Sequence, residues 1–244
     1  MSEQVPWKSQ NRLLDRLPAE VCSRLRPHLQ LQALPAGKVL YEAGIPQTQV
    51  YFPRSGAISL LFSLESGDAA EIGMVGNEGM VGSALMVDSQ STPTLALVQA
   101  AGQALCLKSE ELDREFNRAS EFQIMVLRYN QVLIGQMAQT AVCNRYHTLE
   151  KQLSRWLLAC LDRSQSDQLE VTQETIASRL GVRREGVTEA ARRLQDSGII
   201  AYTRGKIKVN DRAALELKSC ECYRTVKSEY DRMMSILSRP GSTV

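Results

Sequence analysis

A chain of 244 residues is long enough for two domains. With 43% hydrophobic and 23% charged residues it reads as ordinary globular protein, which excludes a disordered or collagen-like chain. The formal net charge is only +2, so any nucleic-acid-binding face must be local.

In chain order, residues 1–11 are polar and carry no apolar run of the signal-peptide kind. Residues 11–31 place Leu13, Leu14, Leu17, Val21, Leu25 and Leu29 at helical spacing, and Pro18 and Pro27 divide them into short pieces. From Gln32 the pattern changes. Gly44, Pro46, Pro53, Gly56 and Gly67 punctuate short runs at 49–52, 57–64 and 69–74, with further runs at 95–98 and 104–107. Short strands between turn residues predict a β-barrel or β-sandwich. The glycines of the 73–82 stretch are read as turn geometry, since no P-loop lysine follows them.

Ser109 is read as the cap of a helix with Glu110 and Glu111 in its first turn. A long helix is predicted over 121–145. Leu127, Gln131, Ile134, Met137 or Ala138, and Ala141 follow alternating three- and four-residue steps, the seam of a two-helix dimer. The alternative is a lone helix packed on its own barrel. Residues 144–148 form a hinge, and Leu149, Leu153, Trp156, Leu157 and Cys160 begin a second domain.

In that domain Ile176, Ala177 and Leu180 line a first short helix, stopped by Gly181. Val187, Ala190, Ala191 and Leu194 line a second, expected over 183–197 and ended by Gly198. Two short helices with a tight turn and a small residue at their crossing form a helix-turn-helix, whose second helix enters the DNA major groove. A hairpin over 199–209, turning at Arg204-Gly205, follows as a wing. Between Arg183 and Lys208 there are seven basic residues against three acids, a local phosphate-binding face. Arg184 and Glu185 open the second helix, where Arg can bond guanine and Glu can accept from cytosine. Arg183, Thr188, Glu189 and Arg192 share that outer face. Thr172 and Gln173 at the first helix's start, with Arg204 and Lys206 on the wing, are expected to meet phosphate. Beyond Asp211, a capping residue, 213–235 reads as a helical tail with a stripe of Tyr223, Val226, Tyr230, Met233, Met234 and Leu237, packed on the winged domain. Cys220 and Cys222, taken as two residues of one helix, point to different sides, so no metal site is expected.

Residues 182–188 resemble the recognition helix of the Crp/Fnr family of bacterial transcription regulators, and Val50 to Gly56 resemble its β-roll. In the family's cyclic-AMP receptor branch an Arg-Glu pair reads a G·C-containing half-site; Arg184 and Glu185 match it. A second base-reading Arg of that branch is Glu189 here, and the usual Ser cap is Arg183. The resemblance implies an α+β chain: a cyclic-nucleotide-binding-like β-roll (12–120), a dimerisation helix and hinge (121–148), and a winged helix-turn-helix domain with a helical extension (149–238). It also implies a homodimer on an inverted repeat of double-stranded DNA, with RNA polymerase as a further partner.

The pocket departs from the cyclic-AMP branch. The branch's ribose-binding Gly-Glu-Leu corresponds to Gly82-Ser83-Ala84, and its phosphate-binding Arg-Ser to Thr94-Leu95. Between Ser55 and Leu107 there is no Lys or Arg, while five acids stand there: Glu65, Asp68, Glu71, Glu78 and Asp88. A buried phosphodiester without a cation costs several kcal/mol. The expectation is therefore a sensor for an unknown signal, with no cofactor. The oxygen-sensing branch's N-terminal Cys cluster has only Cys22 to match it. The alternatives are a haem or small-ligand sensor using His28 or His147, and a scaffold that binds proteins through its winged domain. No catalytic constellation assembles. The scattered cysteines and the lack of a membrane-spanning run give an expectation of a cytoplasmic protein that is not an enzyme.

Overall fold

The computed structural model describes residues 8–83, 91–164 and 166–237. Ala84, Asp88 and the side chain of Leu237 lie outside them. Among the described residues no helix is long and apolar enough to cross a membrane.

The N-terminal prolines act as expected. Single 3-10 turns at Leu14–Arg16 and Arg26–His28 flank α1 (Ala19–Leu25), with Pro18 at its N-cap. Strands β1 (Gln30–Leu34), β2 (Val39–Tyr41), β3 (Gln49–Ser63), β4 (Ala69–Val75) and β5 (Thr94–Lys108) form one antiparallel sheet in the order β1-β5-β3-β4, with β2 also on β5. β3 and β5 are each continuous for 15 residues, where short separate runs were predicted. The turn residues bend the strand instead of ending it. Register shifts cluster between Pro53 and Ile58. Gly56 sits at φ +84, and a Cβ there would fall 2.6 Å from the Ala100 carbonyl oxygen. A Cβ on Gly102 would fall 2.1 Å from the Ser55 oxygen. Bare backbones therefore pass each other at a bulge, and the pairing runs on through it.

Helix α2 (Ser109–Phe116) starts one residue earlier than read: Lys108 is the cap position, and the Ser109 N–H donates to the Thr48 carbonyl. Helix α3 (Glu121–Tyr146) lays Phe122, Met125, Val126, Tyr129, Val132 and Leu133 on the barrel. Its other face is open. Leu127 and Ile134 are 55% and 59% exposed, and Gln131, Ala138 and Ala141 are exposed with them. Met137 is a correction: it is half-buried against the barrel core and leaves the stripe to Ala138.

Helix α4 (Leu149–Ser164) joins the two halves. Ala57 and Met74 of the barrel pack into the same core as Trp156, Leu157 and Leu180. Two barrel acids complete the contact. Glu71 is buried; its Oε2 accepts from Ser59 Oγ at 2.5 Å and from Trp156 Nε1 at 3.3 Å. Arg163 donates to Glu78 Oε1 through Nε at 2.8 Å and NH2 at 2.6 Å, with 9% of each side chain exposed. The glycine turn permits this approach. A Cβ on Gly76 would meet Arg163 Cγ at 2.5 Å, and one on Gly79 would meet the Tyr129 hydroxyl at 2.6 Å.

Helices α5 (Gln173–Leu180) and α6 (Arg184–Asp196) form the helix pair. Strands β6 (Gln168–Glu170), β7 (Ile200–Thr203) and β8 (Lys206–Val209) make the wing in the order β6-β8-β7. The tail departs from its reading in two ways. It is two helices, α7 (Arg212–Lys218), capped by Asp211 on the Ala214 N–H, and α8 (Glu221–Leu237). And α8 packs chiefly on α3 and the barrel, with Tyr230, Met233 and Met234 in the barrel core. The stripe divides: Tyr223 joins the winged-domain core, while Val226, Tyr230, Met233 and Met234 lie on the barrel core. Cys220 lies in the break before α8, so helical spacing does not separate it from Cys222.

Burial raises the Glu71 carboxyl above its ordinary range, against the two hydrogen bonds it accepts. Below that range both folded and unfolded states hold the proton, and pH has no leverage. Above it the unfolded chain sheds a proton that the folded protein keeps, so stability falls with rising pH until the raised folded value is passed. Glu71→Gln should flatten this slope, measured as the melting temperature between pH 4 and 8; an unchanged slope would assign it to another group.

Candidate nucleic-acid interface

The first helix of the pair is set by its ends. Thr172 Oγ1 accepts from the Thr175 N–H at 3.1 Å, capping α5. Gly181 closes it in the left-handed region at φ +65, and the Val182 N–H returns to the Ala177 carbonyl. Ile176, Ala177 and Leu180 are buried, as are Val187, Ala190, Ala191 and Leu194 of α6. The inner faces of both helices are those the periodicity predicts. Gly186 has a role that the spacing does not reveal: a Cβ there would fall 2.8 Å from Leu149 Cδ2, so α6 crosses closely over the start of α4.

The outer face of α6 is open. Arg184, Glu185, Thr188, Glu189 and Arg192 are all exposed. Arg183 takes the cap position with extended backbone and makes no capping bond, leaving its guanidinium outside the helix start. Thr188 Oγ1 donates to Gln173 Oε1 at 2.7 Å and ties the two helices at their exposed edge. Glu189 is bonded by Arg193, which holds its carboxyl below the ordinary range. The acid where the resemblance implies an Arg is therefore neutralised by its own helix. Arg192 lies 3.7 Å from Asp196.

The wing turns at Arg204 and Gly205, both with positive φ, as its sequence predicts. Arg204 is exposed. Lys206 is 3.0 Å from Glu170 and Lys208 is 3.9 Å from Asp167, across the β6–β8 pair. These exposed pairs contribute about 0–1 kcal/mol each and yield readily to a phosphate. Thr172 and Gln173 stand at the N-terminal end of α5, where the helix dipole favours an anion.

In the barrel, Thr94 and Leu95, standing where the phosphate-binding pair would be, are half-buried. Thr94 Oγ1 is 3.4 Å from the Tyr41 hydroxyl and 3.0 Å from Thr92 Oγ1. Of the barrel acids, Glu71 and Glu78 are bound to α4. His28, on the surface, lies 3.6 Å from Glu111.

Residues 31–119 match the cyclic nucleotide-binding domain, and residues 151–217 match the Crp-like helix-turn-helix domain. The fold is similar to that of a Crp/Fnr-family protein from Eubacterium rectale (TM-score 0.68, 18% identity, 86% of this chain and 99% of that one). It is also similar to the c-di-GMP-responsive global regulator CLP of Xanthomonas campestris (0.65, 16%, 80% and 100%). FixK2 of Bradyrhizobium japonicum is a third (0.65, 15%, 79% and 98%). At such identities the likeness concerns the fold alone. No curated protein sequence matches the chain. A cyclic-nucleotide-type β-roll followed by a winged helix-turn-helix defines a DNA-binding transcription regulator, a binding protein and not an enzyme. The chain belongs to the Crp/Fnr family.

Proposed function

We propose that the protein is a homodimer that binds an inverted repeat in duplex DNA and regulates transcription there, with RNA polymerase as its further partner. The observation that carries this reading is the exposed outer face of α6, with Arg184 and Glu185 at its N-terminal end. Arg184 pairs with a guanine and Glu185 with a cytosine in each half-site. Thr172, Gln173, Arg183, Thr188, Arg192, Arg204 and Lys206 position the domain on the phosphates, and Glu189 stays with Arg193.

Dimerisation rests on α3. Leu127, Ile134, Ala138 and Ala141 form one exposed stripe along a 26-residue helix, and a Cβ on Gly135 would meet nothing within 4 Å. Such a stripe suits a second copy of α3 at close range. The two recognition helices would then stand about 34 Å apart, one turn of DNA. The β-roll responds to a signal other than cyclic AMP. The missing cation of residues 55–107 supports this, and so does the use of Glu71 and Glu78 as structural partners of α4. The protein acts where the DNA is, in the cytoplasm.

Three measurements test the parts separately. In a randomised-site selection, Arg184→Ala should cost about 1–3 kcal/mol per half-site and relax one base pair, whereas Lys206→Ala should weaken all sequences alike and lower the salt slope by about one unit. An unchanged consensus for Arg184→Ala would remove α6 as the base reader. Ile134→Glu should convert the dimer to monomers in sedimentation at micromolar concentration; a wild-type monomer would refute the seam. Calorimetry with cyclic AMP should give no micromolar binding, and a micromolar dissociation constant would restore the nucleotide pocket.

A further inference from the structure

Four side chains remote in sequence converge where α3 ends. Cys143 and His147 come from the last turn of α3 and its C-cap. Cys220 and Cys222 flank the first residue of α8. One ligand atom from each lies within 4.8 Å of all the others. Cys143 Sγ is 3.5 Å from Cys220 Sγ, and Cys222 Sγ is 3.4 Å from His147 Nδ1. All three cysteines are at most 3% exposed.

Three thiols and an imidazole are a Cys3His donor set. Zinc–sulfur bonds of about 2.3 Å and zinc–nitrogen bonds of about 2.0–2.1 Å, in a tetrahedron, put the ligand atoms about 3.5–3.8 Å apart. Two of the separations, Cys143–Cys220 at 3.5 Å and Cys222–His147 at 3.4 Å, already match that spacing, and the remaining pairs lie within 4.8 Å. They leave room for a single ion and none for a multi-iron cluster. The surroundings are those of a ligand shell. Glu221 Oε1 lies 3.3 Å from His147 Nε2, so a carboxylate takes the far ring nitrogen and leaves Nδ1 to face the sulfurs. The Gln139 amide donates to Cys222 Sγ at 3.0 Å. Arg155 lines the same cleft as Cys222, and its buried Nε has no hydrogen-bond partner among the described residues.

We propose that Cys143, His147, Cys220 and Cys222 bind one divalent zinc-class cation in a closed tetrahedral site that fastens α8 to the end of α3. The three thiols release three protons on binding, and the three thiolates with the dication leave a net charge of −1 that the neighbouring Arg155 offsets. No ligand position remains open, so the site is structural and not catalytic. The expectation of no metal considered Cys220 and Cys222 alone; the other two ligands stand some 75 positions earlier in the chain.

The test uses the full-length protein, purified without a metal-affinity tag from zinc-supplemented culture. Elemental analysis should find one zinc per chain. Cobalt(II) added to the metal-free protein should give a thiolate-to-cobalt charge-transfer band with intense tetrahedral d–d bands, abolished by zinc. Cys143→Ser and Cys222→Ser should lose the stoichiometric metal, Cys160→Ser should keep it, and Glu221→Gln should weaken binding about 10–100-fold. Wild-type protein that carries no zinc and gives no cobalt charge transfer overturns the proposal, whatever the variants do. A metal-free Cys143–Cys220 disulfide in peptide maps, or zinc retained by both serine variants, overturns it equally.

Discussion

Two carboxylates of the barrel, Glu71 and Glu78, meet the first helix of the DNA-binding half inside the protein, and the arrangement of the two halves depends on that meeting. Removing one member of a buried ion pair typically costs about 3–5 kcal/mol, and Glu78–Arg163 is such a pair. Glu78 finds Arg163, and Glu71 finds Ser59 and Trp156. Arg163 reaches Glu78 past a turn where Gly76 carries no Cβ, and Tyr129 of α3 packs on Gly79 in the same way. With α4 held there, α6 crosses its start at Gly186. The glycines first read as turn formers therefore also serve the packing of α3 and α4 on the barrel.

The same acids bear on the character of the β-roll. The stretch from Ser55 to Leu107 holds no Lys or Arg. Its enclosed carboxylates are committed to the partner domain.

What could be read from the sequence was local. The helix pair was legible because its evidence lies within about 40 residues: two apolar faces, a left-handed glycine between them, and a hairpin turn at Arg204-Gly205. The exposed stripe of α3 was legible for the same reason, save Met137, where three- and four-residue steps leave two choices and the barrel takes one of them. The barrel strands were cut too short because Pro53 and Gly56 are breakers in isolation, while pairing along β5 overrides them. Glu71 and Glu78 gave no signal, since Trp156 and Arg163 are each 85 positions away. The tail failed likewise. Its apolar stripe was visible, but nothing local says that it belongs beside α3, or that Cys220 and Cys222 meet Cys143 and His147.

The return of α8 to α3 alters the mechanics of the joint at His147 and Thr148. A chain that only passed from α3 into α4 would leave the DNA-binding half held to the barrel by the α4 contacts alone. Here the path continues through the winged domain and α7 and comes back to α3 with Tyr230, Met233 and Met234 seated in the barrel core. The result is a closed linkage, like a four-bar frame, in which one angle cannot change unless another does. Any rotation of α6 relative to the barrel must shear α8 along α3 or bend the α7–α8 corner, so motion is confined to the few modes that the frame permits.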